Sequence, residues 1–331
     1  MANSAATTTD PISLLHVTRR FGDVVAVDDV SFDLAQGTIL GLIGPSGSGK
    51  TTILRMLTGS LAPTRGEVRV LGERPSRFRA STRERIGYMP QNFLLYPELT
   101  ARENVSFVAA LFGMYMRRRA RRVREVLELV DLWDVRDRRA SQLSGGMQRR
   151  LALAAAFVHE PEVLFVDEPT AGIDPILRTR IWEELRRQAN EGRTFIVTTQ
   201  YVGEAEHCDG VALLSDGELL ALASPADLRS EVYGGEVLEV RTGREMDARR
   251  LEKLPGVLVA RQRGPRGAVV VTDDAGAVTP RLVEWVQQNG NSVAFIDQYE
   301  SSFDEIFVQL VERHEQERQG QAPGPARADA A

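Results

Sequence analysis

The sequence predicts an α/β fold with a mostly parallel sheet, an inserted helical segment and a small α+β domain at the carboxyl end. Short β-branched runs open the chain, and later strand-like runs alternate with helical segments, which is typical of βαβ units. Between them, about residues 100–160 carry apolar side chains at helical spacing. The 331 residues, 43% of them hydrophobic, can bury one core and leave length for a second domain.

The predicted elements follow one another along the chain. Strands are expected at 24–34, 38–43, 67–71 and 86–89, and again at 163–166, 194–198 and 211–214. Later segments at 237–241, 248–254, 257–260, 268–272, 279–288 and 292–296 read strand, helix, strand, strand, helix, strand, which resembles the ferredoxin-like arrangement. An amphipathic helix at about 302–315 follows, and no internal repeat is found.

The domain limits come from shifts in composition. We expect a disordered tail at 1–11, a first domain at 12–230 with a helical lobe at about 92–160, and a carboxyl-terminal α+β domain at 236–315. Residues 316–331 have too few large apolar side chains to fold and predict a second disordered tail.

Charge and cysteine content exclude several classes of protein. The 41 basic and 46 acidic residues give a net charge of −5, which argues against a dedicated nucleic-acid binder. The single cysteine, Cys208, excludes an internal disulfide framework and a CxxC zinc site, and fits a reducing cytosol. No secretory signal is visible at the amino end. The longest apolar runs fall short of the ~20 residues that span a bilayer, so the chain is not expected to cross a membrane by itself.

A phosphate-binding loop is predicted where GPSGSGKTT joins a strand-like run to a helix-like run. Glycines permit backbone torsions that turn successive N–H groups toward phosphate oxygens, and the following helix start favours the same anion. Lys50 is expected to reach the β- and γ-phosphates, and the Thr51 hydroxyl to ligate Mg²⁺. The alternative is an ordinary glycine-rich turn. The residues predicted to bind nucleotide here are Gly44, Pro45, Ser46, Gly47, Ser48, Gly49, Lys50, Thr51 and Thr52.

Two further motifs carry polar groups suited to the same ligand. VLFVDE is a buried strand that ends in two carboxylates: Asp167 suits the Mg²⁺ shell, and Glu168 is the candidate general base for an attacking water. LSGGMQ places Ser144, Gly145 and Gly146 at the start of a long helix, where bare amides can bind an anion. On its own the second motif also fits an ordinary helix cap.

Taken together, these motifs resemble those of the ATP-binding-cassette (ABC) ATPases over about residues 12–230. The resemblance implies a P-loop NTPase fold with a β-rich subdomain, a parallel-sheet core and a helical subdomain. It also implies that Phe21 stacks on adenine, although a core phenylalanine is the alternative. Gln91 is similar to the loop glutamine that contacts Mg²⁺ and senses the membrane partner, and Asp174 to the loop aspartate that links two nucleotide sites.

The family resemblance implies that two cassettes pack head to tail with two molecules of ATP, and Mg²⁺, between them. Ser144 and Gly146 of one copy would then complete the γ-phosphate site of the other, so that ATP stabilises the closed dimer. The second cassette is expected to be another copy or a paralogue.

One position departs from the common family pattern. FIVTTQYVGEAE places Gln200 where most relatives carry a histidine, and none of His16, His159, His207 or His314 takes its place. An amide can donate to a phosphate oxygen but cannot titrate near neutral pH. The same replacement resembles daunorubicin-resistance-type exporter ATPases, so hydrolysis is expected to persist.

The leading interpretation is the ATPase subunit of a drug or lipid exporter, bound at the cytoplasmic face of the membrane to a separate permease. YESSFDEIFVQLVE is similar to the carboxyl-terminal ending of such ATPases. The permease is expected to contact the surface near Gln91 to Met116, where Leu94, Tyr96 and Phe112 could form a groove. The alternatives are an importer ATPase or a non-transport ABC ATPase acting on nucleic acid or ribosomes.

Two segments are assigned no ligand. RRRARRVR at 117–124 could be an anionic-lipid or nucleic-acid patch, but its apolar stripe and following glutamates favour a solvated amphipathic helix. The carboxyl-terminal domain displays no ligand motif, and stabilisation of a dimer is its simplest role.

Overall fold

The computed structural model describes residues 10–92, 95–299 and 303–318, and it divides into two compact units, Met1–Leu222 and Ala223–Ala331. The division falls inside the strand Glu218–Ala223, whereas composition suggested a limit at 230. Within the described ranges, no helix is both long enough and apolar enough to cross a bilayer.

The structure contains three sheets and helices that connect or cover their strands. The strands are β1 Ile12–Phe21, β2 Val24–Leu34, β3 Ile39–Ile43, β4 Arg65–Val70, β5 Ile86–Met89, β6 Val163–Asp167, β7 Thr194–Thr199, β8 Gly210–Ser215, β9 Glu218–Ala223, β10 Glu236–Thr242, β11 Val257–Gln262, β12 Gly267–Thr272 and β13 Val293–Gln298. The α-helices are α1 Lys50–Leu57, α2 Ala80–Arg83, α3 Ala101–Leu111, α4 Met116–Leu129, α5 Gly145–Phe157, α6 Pro175–Asn190, α7 Pro225–Tyr233, α8 Ala275–Gln288 and α9 Phe303–Arg318. Short 3-10 helices lie at Pro75–Arg77, Trp133–Val135, Ala140–Gln142, Val202–His207 and Ala248–Lys253.

The central sheet has the strand order β5-β6-β7-β3-β8-β9, and its first five strands run parallel. β3, β6 and β7 are buried along their whole length, which explains why their sequences are continuous apolar runs rather than alternating ones. Because the carboxyl ends of parallel strands meet at one edge, the loops after β3, β5, β6 and β7 emerge side by side. This edge is where the predicted site residues are brought together.

The first helix is held between two sheets. Side chains of α1, among them Ile53, Leu54 and Leu57, belong to the same buried cluster as β3, β6 and the antiparallel sheet β2-β1-β4. Burial on both sides fixes the start of α1, and with it the preceding loop, against the central sheet.

The helical segment between β5 and β6 contains α3, α4 and α5, as the spacing predicts. α3 begins with a capping box, in which the Thr100 hydroxyl accepts from the Glu103 amide at 3.2 Å and the Glu103 carboxylate accepts from the Thr100 amide at 2.8 Å. On α4 the buried stripe is Val123, Val126 and Leu127, and arginines of the opposite face pair with Glu125 and Glu128. The arginine-rich run therefore lies on a solvated amphipathic helix.

The second unit contains an antiparallel sheet in the order β11-β12-β10-β13. With the 3-10 helix Ala248–Lys253 and α8 as its two crossovers, this is the ferredoxin-like order that the sequence predicts. Ala248, Leu251, Val278 and Leu282 pack on one face of the sheet and form a core of their own.

Several features differ from the sequence-based expectations. β1, β9 and α7 were not predicted, and Phe21 is the last residue of β1. α8 begins four residues earlier than expected, because Asp274 caps it by accepting from the Ala277 amide at 2.9 Å. α9 runs to Arg318, into the predicted tail. Leu94 and most residues of the two predicted tails lie outside the described residues.

Candidate functional site

The loop at 44–49 turns tightly between β3 and α1, and two glycines make that turn possible. Gly49 has φ +100°, and a Cβ there would lie 2.5 Å from the carbonyl oxygen of Ala26. At Gly44 a Cβ would lie 2.1 Å from the carbonyl oxygen of Leu214. Both clashes are with backbone, which cannot move aside easily, so the loop path requires glycine at these two positions.

Lys50 is the first residue of α1, and its ammonium group lies inside the loop. Nζ donates to the carbonyl oxygens of Gly44 at 2.7 Å and Pro45 at 2.8 Å. Burial lowers the pKa of the ammonium, while Glu168 and Asp167 act in the opposite direction. The loop thus holds a largely buried cation at the point where a phosphate group would enter.

Asp167 ends β6 and is held by two hydroxyl groups. Thr51 Oγ1 donates to Oδ2 at 2.9 Å, and Thr198 Oγ1 donates to Oδ1 at 2.5 Å. Asp167 is 1% exposed, and Thr198 lies directly opposite it in the β6–β7 register. A buried carboxylate that accepts a hydrogen bond at each of its two oxygens is fixed in position by these bonds.

Glu168 leaves β6 in a left-handed conformation, with φ +54°. Its amide donates to Thr198 twice, to the carbonyl oxygen at 3.1 Å and to Oγ1 at 3.0 Å. Its Oε2 accepts from Gln91 Nε2 at 3.3 Å and from Gln200 Nε2 at 3.4 Å. A strained backbone held by several bonds is typical of a functional position, and here it aims the carboxylate between two amides.

The LSGGM turn caps α5. Ser144 accepts from the Met147 amide at 3.3 Å, and Gly145 and Gly146 form the first turn of the helix. The turn lies against the loop at 171–174: a Cβ on Gly146 would be 3.6 Å from the carbonyl oxygen of Gly172. In the next turn Arg149 Nη1 donates to the carbonyl oxygen of Ala171 at 2.9 Å.

The structure therefore forms two clusters from the predicted residues. Asp174 belongs with the LSGGM turn, because it follows Ala171 in the same loop and caps α6 by accepting from the Leu177 amide at 3.0 Å. Phe21 stands apart from both clusters in its contacts: its ring is 44% exposed, and the Arg19 guanidinium lies 4.5 Å from the ring centroid. The first cluster contains the phosphate loop Gly44, Pro45, Ser46, Gly47, Ser48, Gly49, Lys50, Thr51 and Thr52 together with Gln91, Asp167, Glu168 and Gln200.

Thr198 is a site residue that the sequence analysis did not identify. TFIVTT was interpreted only as a buried strand, and a threonine in a strand is common. The available signal was the register: β6 and β7 are parallel, and alignment of their starts at Val163 and Thr194 places Thr198 beside Asp167. Only the pairing of β6 with β7 shows that the Thr198 hydroxyl contacts Asp167.

A family model described as "ABC transporter" matches residues 27–171. Nod factor export ATP-binding protein I of Bradyrhizobium diazoefficiens is 45% identical over 234 residues, which cover 70% of this chain and 76% of that protein. A probable multidrug ABC transporter ATP-binding protein of Escherichia coli is 37% identical over 225 residues, 68% of this chain but 39% of that protein.

A solved structure shows the same fold in a nucleotide-bound assembly. It is a dimeric ATP-binding cassette in a post-hydrolysis state, bound to ADP and Pi, which is 29% identical with a TM-score of 0.60 and covers 64% of this chain and 98% of that one. The chain therefore belongs to the ABC transporter family, as an ATP-binding subunit that hydrolyses ATP.

Proposed function

We propose that this chain drives export through a separate membrane subunit by hydrolysing magnesium-bound ATP at the interface of a head-to-tail dimer. The observation that carries the proposal is the set of contacts on Glu168. Its backbone is fixed to Thr198, and its carboxylate is held between the amides of Gln91 and Gln200. A carboxylate positioned in this way, one residue beyond a buried Asp167, is suited to orient water for attack on a phosphoryl group.

The phosphate loop offers the groups that a nucleotide requires. Backbone amides at 44–49 and the start of α1 would face the phosphates, and Lys50 would exchange its bonds to loop carbonyls for bonds to phosphate oxygens. Because the ammonium already lies among carbonyl acceptors, it needs little rearrangement to accept an anion instead.

The donor set at the end of β6 fits a magnesium ion. Magnesium prefers oxygen ligands, and Thr51 Oγ1, Asp167 Oδ2 and the amide oxygen of Gln91 are oxygens of that kind. Thr51 Oγ1 and Asp167 Oδ2 are already 2.9 Å apart, and Gln91 donates a hydrogen bond to Glu168 from Nε2, which leaves its amide oxygen to bind an ion. When bound, the ion would neutralise charge on the phosphates.

Glu168 would act as the general base. Gln91 and Gln200 donate to one carboxylate oxygen and leave the other to accept a proton from water. Neither amide titrates, so both hold the carboxylate without competing for its proton. Gln200 would in addition donate to a γ-phosphate oxygen in place of the usual imidazole, which is why we expect hydrolysis without a histidine.

The second half of each site would come from a second copy or a paralogue. Ser144, Gly145 and Gly146 bond within α5 and lie against the loop at 171–174, so their anion-binding amides are available to a partner's nucleotide. Asp174 would lie at the same seam. The dimeric assembly of the similar cassette bound to ADP and Pi supports this arrangement.

The surroundings of the site support a membrane partner. Tyr96 is 51% exposed and contacts the Phe107 ring edge-on at 4.8 Å, and Leu111 and Met116 are exposed nearby in sequence. Phe112 is less available than expected, because its ring stacks on His159 at 3.7 Å. We propose that a permease binds the surface near Gln91 to Met116 and retains the chain at the cytoplasmic face of the membrane.

Export rather than import is proposed because the similar proteins are named for Nod factor export and multidrug transport. The transported compound would be selected by the membrane subunit.

We propose in addition that Phe21 stacks on adenine with the ring face that Arg19 does not cover. The limits 12–230 and 236–315 are retained as proposed domain limits, and no nucleic-acid partner is expected from the net charge of −5.

The shared site is tested with Glu168→Gln, which keeps the side-chain volume but removes the base. With ATP and Mg²⁺ we expect a particle of twice the 36.6 kDa chain mass by light scattering, because hydrolysis no longer releases the nucleotide. Adding Gly145→Asp should return the protein to a monomer. A Cβ at Gly145 meets nothing within 4 Å, and an acid at a helix start is favourable, so the change should repel only a partner's phosphate.

Gly145→Ala is the matched control, because it adds a methyl group in the same open space without charge. It should weaken the ATP-dependent dimer far less than Gly145→Asp does. A Glu168→Gln protein that binds ATP and stays monomeric would contradict the shared site.

A further inference from the structure

A buried carboxylate beside the site lacks the partners that its burial calls for. Glu204 is 4% exposed, and neither of its carboxylate oxygens accepts a hydrogen bond from any residue that the structure describes. The nearest positive charge is Arg178, whose Nε lies 3.6 Å from Glu204 Oε1. A carboxylate buried this deeply is costly to desolvate, and its pairing with a partly exposed arginine is by itself a weak source of stability. Its position therefore suggests another role.

Arg178 touches two segments that follow different strands. It lies in the first turns of α6, and its Nη2 donates to the carbonyl oxygen of Ile173, in the loop at 171–174. The same guanidinium faces Glu204 and lies 5.1 Å from the centroid of the Tyr201 ring. Tyr201 and Glu204 belong to residues 200–207, which we call the switch segment.

The two segments that Arg178 joins lead to the two halves of the proposed site. The loop at 171–174 bonds to α5 through Arg149, directly behind the LSGGM turn. The switch segment begins with Gln200, whose amide donates to Glu168. A continuous series of contacts thus connects the LSGGM turn, which would touch a partner's nucleotide, to Glu168, which would act on the nucleotide bound by the same chain.

We propose that Arg178 is a positioning residue that couples the loop at 171–174 to the switch segment, and so keeps Gln200 on Glu168. The inference rests on the proposed function, because it gives a task to Glu168 and Gln200. Arg178 does not touch the reacting atoms in this role. It fixes the distance between the loop at 171–174 and the switch segment, which lead to the two halves of the proposed site.

The geometry of the pair suits such a coupling. At 3.6 Å the two charged groups are about 0.7 Å beyond an ordinary N–H···O distance, so they attract each other by charge across the space between α6 and the switch segment. The Arg178 guanidinium also lies 5.1 Å from the centroid of the Tyr201 ring, which adds a second attraction between α6 and the switch segment. Movement of the loop at 171–174 is therefore passed on to the segment that carries Gln200.

The test compares Arg178→Gln, Glu204→Gln and the double variant with the wild-type chain. Each single change should lower kcat for ATP roughly tenfold while leaving KM within about twofold, because the phosphate loop is untouched and the base is less well placed. The double variant should be no slower than either single variant, because both changes break the same pair. Arg178→Lys, which keeps the charge, should recover part of the loss.

A second readout does not depend on catalysis. In nucleotide-free protein, amide hydrogen exchange over residues 200–207 should become roughly tenfold faster in Arg178→Gln, since the segment loses its anchor. Arg187→Gln is the matched control: it removes an arginine of the same helix that pairs at the surface with Glu184 at 2.6 Å. It should change neither the exchange of the switch segment nor kcat beyond about twofold.

The outcomes separate this inference from the proposed function. Unchanged exchange over 200–207 in both Arg178→Gln and Glu204→Gln would overturn the coupling, whatever the activity. Losses of kcat that multiply in the double variant would also overturn it. If the wild-type chain bound ATP without hydrolysing it, the proposed base would be contradicted. Faster exchange over 200–207 in the variants would still support the coupling in that case. If Arg178→Gln does not fold, the isosteric Glu204→Gln decides by the same measurements.

Discussion

Thr198→Val is the change that most directly tests how the two carboxylates are held. Thr198 is fully buried, and its hydroxyl donates to Asp167 Oδ1 at 2.5 Å while accepting from the Glu168 amide at 3.0 Å. Valine has nearly the same shape but no hydroxyl. The Glu168 amide keeps its second acceptor, the Thr198 carbonyl oxygen at 3.1 Å, so the main loss falls on Asp167.

The size of that loss follows from the kind of bond. A hydrogen bond to a charged group contributes about 1.5–3 kcal/mol, and the Asp167 oxygen left without a donor is buried. We expect the free energy of unfolding to fall by about 2 kcal/mol, which corresponds to a Tm lower by about 4–8 °C for a unit of this size. Because Asp167 and Glu168 are adjacent in the chain, kcat should fall about tenfold or more.

The assay pairs thermal unfolding with steady-state ATP hydrolysis, and β7 supplies the control. Thr194 is equally buried on the same strand, and its hydroxyl accepts from the Gly37 amide at 3.2 Å, away from both carboxylates. Thr194→Val should cost about 1 kcal/mol of stability with kcat unchanged. If Thr198→Val behaved like Thr194→Val in both assays, the hydroxyl at 198 would have no special part in the site.

Two further results are expected. Burial lowers the pKa of the His159 imidazole to about 4, whereas the same group has a pKa near 6.5 in the unfolded chain. Between pH 6.5 and 4 the unfolded chain therefore binds the proton more readily, and the free energy of unfolding should drop by about 1–3 kcal/mol. Urea titrations of His159→Gln should show a shallower drop over the same range. An equally steep drop in His159→Gln would assign the effect to other groups. Gln200→His should change kcat by less than about threefold, because the amide of Gln200 already contacts Glu168. A rise in kcat of several orders of magnitude would mean that Gln200 strongly reduces the rate of hydrolysis.

The sequence was most informative where one motif determines its own geometry. GPSGSGKTT predicts a glycine-rich turn between a strand and a helix, and the structure shows that a Cβ at Gly44 or Gly49 would meet backbone. The parallel sheet and the position of Asp167 at the end of β6 followed from buried apolar runs. Both predictions come from short stretches of sequence, although the carbonyl groups that exclude a Cβ at the two glycines belong to residues distant in the chain.

Contacts between distant segments could not be predicted in the same way. Thr198 meets Asp167 only through the register of two strands, and Arg178 meets Glu204 across a helix and a strand. β1 was missed because polar residues in LLHVTRRF interrupt its alternation where the pairing with β2 shifts register. Phe112 was interpreted as a groove residue because sequence does not reveal that His159 covers its ring.

The bonds of the LSGGM turn bear on how the chain behaves before it is assembled. The helix that begins with this turn is hydrogen-bonded to the loop at 171–174, and the phosphate loop is hydrogen-bonded to β6. Under the proposed shared site, one copy therefore contains both halves but cannot use them together on one nucleotide. Turnover by dilute protein would then depend on the square of its concentration. A subunit present at low concentration would hydrolyse little ATP, and assembly into a dimer would therefore limit hydrolysis by single copies.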